Sequence, residues 1–174
     1  MNKNSSNNLE IERKYIIEMP DFALISAQGE YTKSDILQIY LSSEGGQTRR
    51  IRRREYQDKT VYIETVKIRV DRMSSREIEN EISKEEFDRL SAQIREGSKP
   101  LYKTRHTFNY LGNTIEIDVY PQWQSTAVME TELDGYDVEI ALPPFINVIK
   151  EVTGNKAYSN SSMASHFPPE REFD

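Results

Sequence analysis

Apolar and charged residues alternate with a period of two along most of this chain, the spacing of a strand with unlike faces. In residues 9–17, Glu10, Glu12 and Lys14 fall on one side of an extended chain, with Ile11, Arg13, Tyr15 and Ile17 on the other. Residues 36–42 read as a second strand, closed by the turn Ser43-Glu44-Gly45-Gly46-Gln47. Beyond that turn Thr48, Arg50, Arg52 and Arg54 share a face, and five of the six residues 49–54 are arginine. Residues 61–70 set Lys67 and Arg69 against Tyr62, Val66, Ile68 and Val70. The next strand sets Glu77, Glu79 and Glu81 against Ile78 and Ile82. Leu101–Tyr110 carries Lys103 and Arg105 opposite Tyr102, Phe108 and Tyr110. Residues 114–120 oppose Ile115, Ile117 and Val119 to Glu116, Asp118 and Tyr120, and residues 128–133 place Glu130 and Glu132 together.

Helix signals are fewer. Pro20-Asp21 breaks the first strand, and Asp21 is placed to cap a short helix over residues 22–28. Ser83-Lys84-Glu85-Glu86 has the form of a capping box. It opens a helix with Phe87, Leu90 and Ile94 in one stripe, ended by Gly97. A strand is expected over residues 138–141, then a helix from Pro143-Pro144 through Val152 with Gly154 at its cap. Residues 1–8 and 163–174 read as polar tails around one domain, residues 9–162, with no dividing linker.

The charged faces change this picture, because each strand carries one dominant sign. A half-exposed sheet mixes signs and uses Thr, Ser, Asn and Gln freely. Here acidic and basic strands are separate, as though each supplied one wall of a shared space. The predicted fold is α+β and β-dominated: a closed antiparallel eight-stranded barrel with a charged lumen, its outer apolar faces covered by helices. The alternative is a β-protein with a charged exterior. Buried like charges are costly without compensation. Carboxylates want divalent cations, whereas Arg and Lys want phosphate oxygens, so a metal-bound polyphosphate would meet both walls.

The bulk numbers agree with this picture. The 174 residues are enough for one barrel, and 36% hydrophobic with 30% charged is polar without being disordered-like. A net charge of −6 argues against nucleic-acid or anionic-membrane partners, so the arginine run reads as a local phosphate site. The absence of cysteine excludes thiolate metal sites. No apolar run is long enough to cross a membrane as a helix, and a cytoplasmic location is expected.

These residues also resemble a known family, the CYTH domains or triphosphate tunnel metalloenzymes, over about residues 9–162. Glu10-Ile-Glu12-Arg-Lys14 is similar to its Glu-x-Glu-x-Lys signature, Arg50-Ile-Arg52 to its Arg-x-Arg strand, and Thr65-Val-Lys67 to its lysine strand. Residues 76–81 resemble its Arg-x-x-Glu-x-Glu region, and Lys103-Thr-Arg105 its Lys-x-Arg strand. Glu116-Ile-Asp118 and Glu130-Thr-Glu132 resemble its later acidic strands, and Lys156-Ala-Tyr158-Ser-Asn160 its closing motif. Gly154-Asn155 departs from it, since relatives commonly carry acidic residues there.

The resemblance implies a tunnel that hydrolyses or cyclises triphosphates with Mg²⁺ or Mn²⁺. Glu10, Glu12, Asp118, Glu130 and Glu132 would hold metal. Lys14, Arg50, Arg52, Lys67, Lys103, Arg105 and Lys156 would grip phosphates. Lys67, Glu79 and Glu81 would serve the reaction, the two glutamates near a second metal or the attacking water. The expected substrate is inorganic tripolyphosphate, with an adenylyl cyclase or a non-catalytic polyphosphate-binding module as alternatives. The protein would act as a monomer or homodimer. His106 alternates out of phase with Lys103 and Arg105 and should face outward, His166 lies in the tail, and Trp123 is expected to pack a loop.

Overall fold

A computed structural model describes residues 9–170. The alternating segments become β1 (Leu9–Glu18), β2 (Gly29–Leu41), β3 (Gln47–Glu55), β4 (Thr60–Arg69), β5 (Ser74–Glu81), β6 (Leu101–Tyr110), β7 (Asn113–Val119) and β8 (Thr126–Glu132). They pair antiparallel in the order β5-β4-β3-β2-β6-β7-β8-β1, and β1 pairs again with β5 to close an eight-stranded barrel. Closure leaves no free edge over the part of β1 that β5 reaches, because Leu9, Glu10 and Ile11 lie opposite Arg76, Ser75 and Ser74.

Below that contact β5 has ended, and the lower half of β1 needs another partner for its backbone groups. A short strand, β9 (Val148–Glu151), supplies it, with Tyr15 opposite Glu151 and Ile17 opposite Val148. The helix expected over residues 143–152 is therefore absent, as is the strand over 138–141. The β-branched pair Val148-Ile149 and an unpartnered strand edge outweigh the helix signal of Pro143-Pro144. After β9 the chain turns at Gly154 (φ +72°), where a Cβ would lie 2.2 Å from Arg72 Cγ. It then forms a 3₁₀ turn (Lys156–Tyr158) and α3 (Asn160–Met163) at the barrel's lower end.

Two apolar clusters lie outside the barrel wall. Ile39, Leu41 and Ile51 pack under Phe87 and Leu90 of α2 (Lys84–Ser91), whose N-terminus is capped by Ser83 accepting from the Glu86 amide. Tyr15, Ile17, Phe108, Ile115, Ile117 and Met129 pack under Ile25 of α1 (Phe22–Ser26), with Leu142, Phe145 and Ile146 of the connection between β8 and β9. Asp21 caps α1 as expected. A third cluster is internal: Ile16, Leu101, Tyr120, Val128, Val152, Tyr158 and Met163 plug the lower barrel beside Trp123. Trp123 packs this loop and donates its indole N–H to the Pro168 carbonyl. The expected tail beyond residue 162 is packed as far as it is described, with Met163, Ala164 and Pro168 buried. Residues 1–8 and 171–174 lie outside the described residues. No helix is long and apolar enough to cross a membrane among the described residues.

Candidate active site

The inward faces enclose a cavity of about 650 Å³. β1 contributes Glu10, Glu12 and Lys14, and β8 contributes Glu130 and Glu132. β3 contributes Arg50, Arg52 and Arg54, β4 Lys67 and Arg69, β5 Glu77 and Glu79, β6 Arg105 and β7 Glu116. The C-terminal segment adds Lys156 and residues 159–162. Strand alternation explains why so many charges reach one space: each residue two positions on returns to the same face.

Ion pairs join the two signs. Lys14 Nζ lies 2.9 Å from Glu130 Oε1, and Lys67 Nζ lies 3.2 Å from Glu77 and 3.8 Å from Glu12. Arg52 Nη2 donates to Glu79 at 2.7 Å, and the Thr65 hydroxyl donates to the same oxygen at 3.3 Å. Arg105 contacts Glu116 from one side of its guanidinium. The Nε atoms of Arg50 and Arg52 are buried and make no hydrogen bond, so each guanidinium keeps donor capacity.

The carboxylates at the β1 end are crowded. Burial, then Glu77, Glu132 and Glu12, push the Glu10 carboxyl up to about 7. Glu130 and then burial push Glu12 up. Burial also works to raise Glu77, yet Arg50 and Lys67 outweigh it and hold that carboxyl down. On the basic wall, burial and the neighbouring Arg50 bring Arg52 down to about 10, so it stays charged at neutral pH.

A hard divalent cation fits this donor set. Glu10, Glu12, Glu130 and Glu132 offer only oxygen atoms, and burial with neighbouring carboxylates raises Glu10 and Glu12 despite the nearby lysines, an environment that a bound cation would relieve. Among the described residues no three acidic or histidine side chains form a metal-holding group in this arrangement. Glu130 and Glu12 are engaged by lysines instead.

Three of the residues expected at the site lie elsewhere. Asp118 and Lys103 face inward but sit below the cavity, 1% and 3% exposed. The strand register explains their depth. Glu116 lies opposite Glu130, which pairs with Lys14, whereas Asp118 lies opposite Val128, which pairs with Ile16 of the apolar plug. Asp118 accepts from Arg105 Nε and Nη2 at 2.8 and 2.9 Å and from Lys103 Nζ at 2.8 Å. Burial works to raise the Asp118 pKa, but the guanidinium and ammonium outweigh it and hold it well below the usual carboxylate range. Burial brings Lys103 down to about 7 against the pull of Asp118. Glu81 is exposed at the end of β5 and does not line the cavity.

The cavity also includes charged residues not assigned roles from sequence: Arg54, Arg69, Glu77 and Glu116. Parity does place them on the faces of the assigned residues: Arg54 with Arg50 and Arg52, Arg69 with Lys67, Glu77 with Glu79, and Glu116 with Asp118. Tyr40 had no such signal. It is the cavity's one aromatic lining residue among those described, and Gln38 Nε2 donates to its hydroxyl. His106 faces outward, stacked on Phe22 with centroids 4.5 Å apart and hydrogen-bonded to Tyr31.

No family model matches the sequence, and no curated protein sequence matches it. Solved structures do. The inorganic triphosphatase NE1496 is similar at 27% identity and TM-score 0.59, covering 91% of this chain and 96% of that one. Protein PH1819 from Pyrococcus horikoshii is similar at 23% identity and TM-score 0.55, over 74% of this chain and 80% of that one. HpAC1 from Hippeastrum, an adenylyl cyclase by designation with a dominant triphosphatase activity, shares the fold at 13% identity and TM-score 0.51. That likeness covers 72% of this chain and 80% of that one.

Proposed function

We propose that the barrel lumen binds a linear triphosphate and hydrolyses it with a divalent cation, Mg²⁺ or Mn²⁺, and that inorganic tripolyphosphate is the preferred substrate. The observation that carries this reading is the meeting of two walls of opposite charge inside one cavity of about 650 Å³. The likeness to an inorganic triphosphatase over nearly the full length of both chains supports it.

Arg50, Arg52, Lys67, Arg105 and Lys156 would hold the non-bridging phosphate oxygens through charge-assisted hydrogen bonds. A single cation about 4 Å from a phosphate charge gains on the order of 4 kcal/mol at an effective dielectric of 20, before desolvation. Glu10, Glu12, Glu130 and Glu132 would hold the metal, which when bound supplies Lewis-acid offset of phosphoryl charge. Asp118, kept ionised below the cavity, would fix the Arg105 fork rather than bind metal itself. Glu79, restrained by Arg52 and Thr65, would orient the attacking water. Water oxygen bonds to the terminal phosphorus, the phosphoanhydride bond breaks, and pyrophosphate leaves with phosphate as the second product.

The test is product analysis with tripolyphosphate, ATP, thiamine triphosphate and longer polyphosphate, each with Mg²⁺ and with Mn²⁺. Phosphate and pyrophosphate from tripolyphosphate, at a higher kcat/KM than from ATP, are expected. Cyclic AMP from ATP with tripolyphosphate left intact would overturn the reading in favour of a cyclase. Binding without turnover would leave a polyphosphate-binding module.

A further inference from the structure

Arg95 belongs to no motif, stands outside the cavity lining, and follows α2 in the connection to β6. It nevertheless touches the cavity's floor and its wall. Its Nη1 donates to Ser161 Oγ at 2.8 Å, and its Nη2 donates to the Ser161 carbonyl at 2.7 Å and to Ser165 Oγ at 3.2 Å. The guanidinium lies 5.4 Å from the centroid of Tyr40, and the Arg95 backbone N–H donates to the Tyr40 carbonyl at 2.8 Å.

The floor needs such an anchor. Residues 159–162 line the cavity, yet their only helix is the four-residue α3, far too short to persist alone. What keeps it in place is tertiary: Met163 in the internal plug, the Tyr120 hydroxyl donating to Asn160, the Lys99 amide donating to the Ala164 carbonyl, and the Arg95 fork. Of these, only Arg95 also presses on a residue of the opposite wall. Tyr40 lies directly opposite Arg50 where β2 pairs with β3.

We propose that Arg95 is a positioning residue that clamps the C-terminal segment against β2 and so sets the shape of the phosphate cavity. Two cavity elements that share no backbone pairing, β2 and α3, are thereby held at a fixed separation. A planar five-donor fork suits this role, since a lysine in its place could keep the charge over Tyr40 but not the bonds to Ser161 and Ser165 together. The consequence for ligand binding rests on the triphosphate reading above; the clamp itself does not.

Arg95→Gln and Arg95→Lys test both parts. Amide exchange in the intact protein should quicken over residues 160–166 in Arg95→Gln, with exchange in β3, β7 and β8 unchanged. Tripolyphosphate binding, followed by calorimetry with divalent metal omitted so that none is consumed, should weaken by about 10-fold in Arg95→Gln. It should weaken less in Arg95→Lys, and in turnover the loss should appear in KM more than in kcat. Uniformly faster exchange throughout the barrel, or undiminished affinity in Arg95→Gln, would overturn the proposal. If the unaltered protein fails to bind tripolyphosphate while exchange still quickens only over residues 160–166, the triphosphate reading falls and the clamp stands.

Discussion

Glu10-Ile11-Glu12 on β1 and Glu116-Ile117-Asp118 on β7 read alike: two carboxylates flanking an isoleucine, both facing inward. Their fates differ. Glu10 and Glu12 crowd other carboxylates in the open cavity, and their pKa values rise. Asp118 sits one row lower, opposite Val128, and is neutralised by Arg105 and Lys103. In the first pair, burial and neighbouring carboxylates outweigh the nearby lysines, whereas the cations around Asp118 outweigh its burial. Which face a carboxylate takes follows from alternation, but whether it can serve a ligand depends on its depth along the barrel.

The contrast breaks most severely at its lower end. Asp118→Asn leaves the buried Arg105 charge, already 8% exposed at most, without its bidentate partner. A loss of about 3–5 kcal/mol in unfolding free energy is expected, measured by urea denaturation. At the upper end the effect should fall on activity instead. Glu10→Gln with Glu12→Gln should cut metal-dependent turnover by at least about 100-fold, about 2.7 kcal/mol of barrier, while metal-free Tm stays level or rises. Unchanged turnover would remove these two residues from the metal site.

The two ends should also respond to pH with opposite sign. Glu10 has a folded pKa of about 7 against 4.5 unfolded, so its neutral form favours the fold. The stability it contributes is full below pH 4.5 and is lost as pH rises through 7; Glu12 acts in the same direction. Asp118, depressed below 3.8, contributes stability that is present above that value and lost as pH falls through its folded pKa. Metal-free protein should therefore lose on the order of a few degrees in Tm between pH 4.5 and 7, and Glu10→Gln should flatten that slope. Thermal scans in chelator across this range provide the check. The smallest effect is expected from Lys103→Met. Asp118 keeps both Arg105 bonds, and a buried ammonium whose pKa has fallen to about 7 is removed, so stability should change by less than about 1 kcal/mol. A large loss would show that Arg105 by itself cannot keep the buried Asp118 carboxylate compensated.

Much of the molecule was legible in the linear pattern. The period of two assigns the inward faces of seven of the eight barrel strands, β2 being the exception, and segregation of charge by strand points to a closed lumen. Local chemistry also settles the caps at Asp21 and Ser83, because the side chains that satisfy those helix ends lie within three residues of the amides they accept from. Glu77 and Arg54 fall on the inward faces by the same parity rule, although the family resemblance gave them no role.

Only the tertiary structure decided the rest, and in each case the cause is a partner distant in sequence. β9 forms because β1 outlasts β5 and leaves backbone groups to be paired, a condition invisible in residues 143–152 themselves. The register of β7 on β8, which puts Glu116 beside Glu130 and Asp118 beside Val128, is set by how the barrel closes and by the apolar plug beneath it. Residues 159–162 become a cavity floor because Gly154 turns the chain under the barrel and Arg95 holds it there. Periodicity along a chain specifies faces; depth and neighbours come from strand pairing across the sheet, which no local pattern contains.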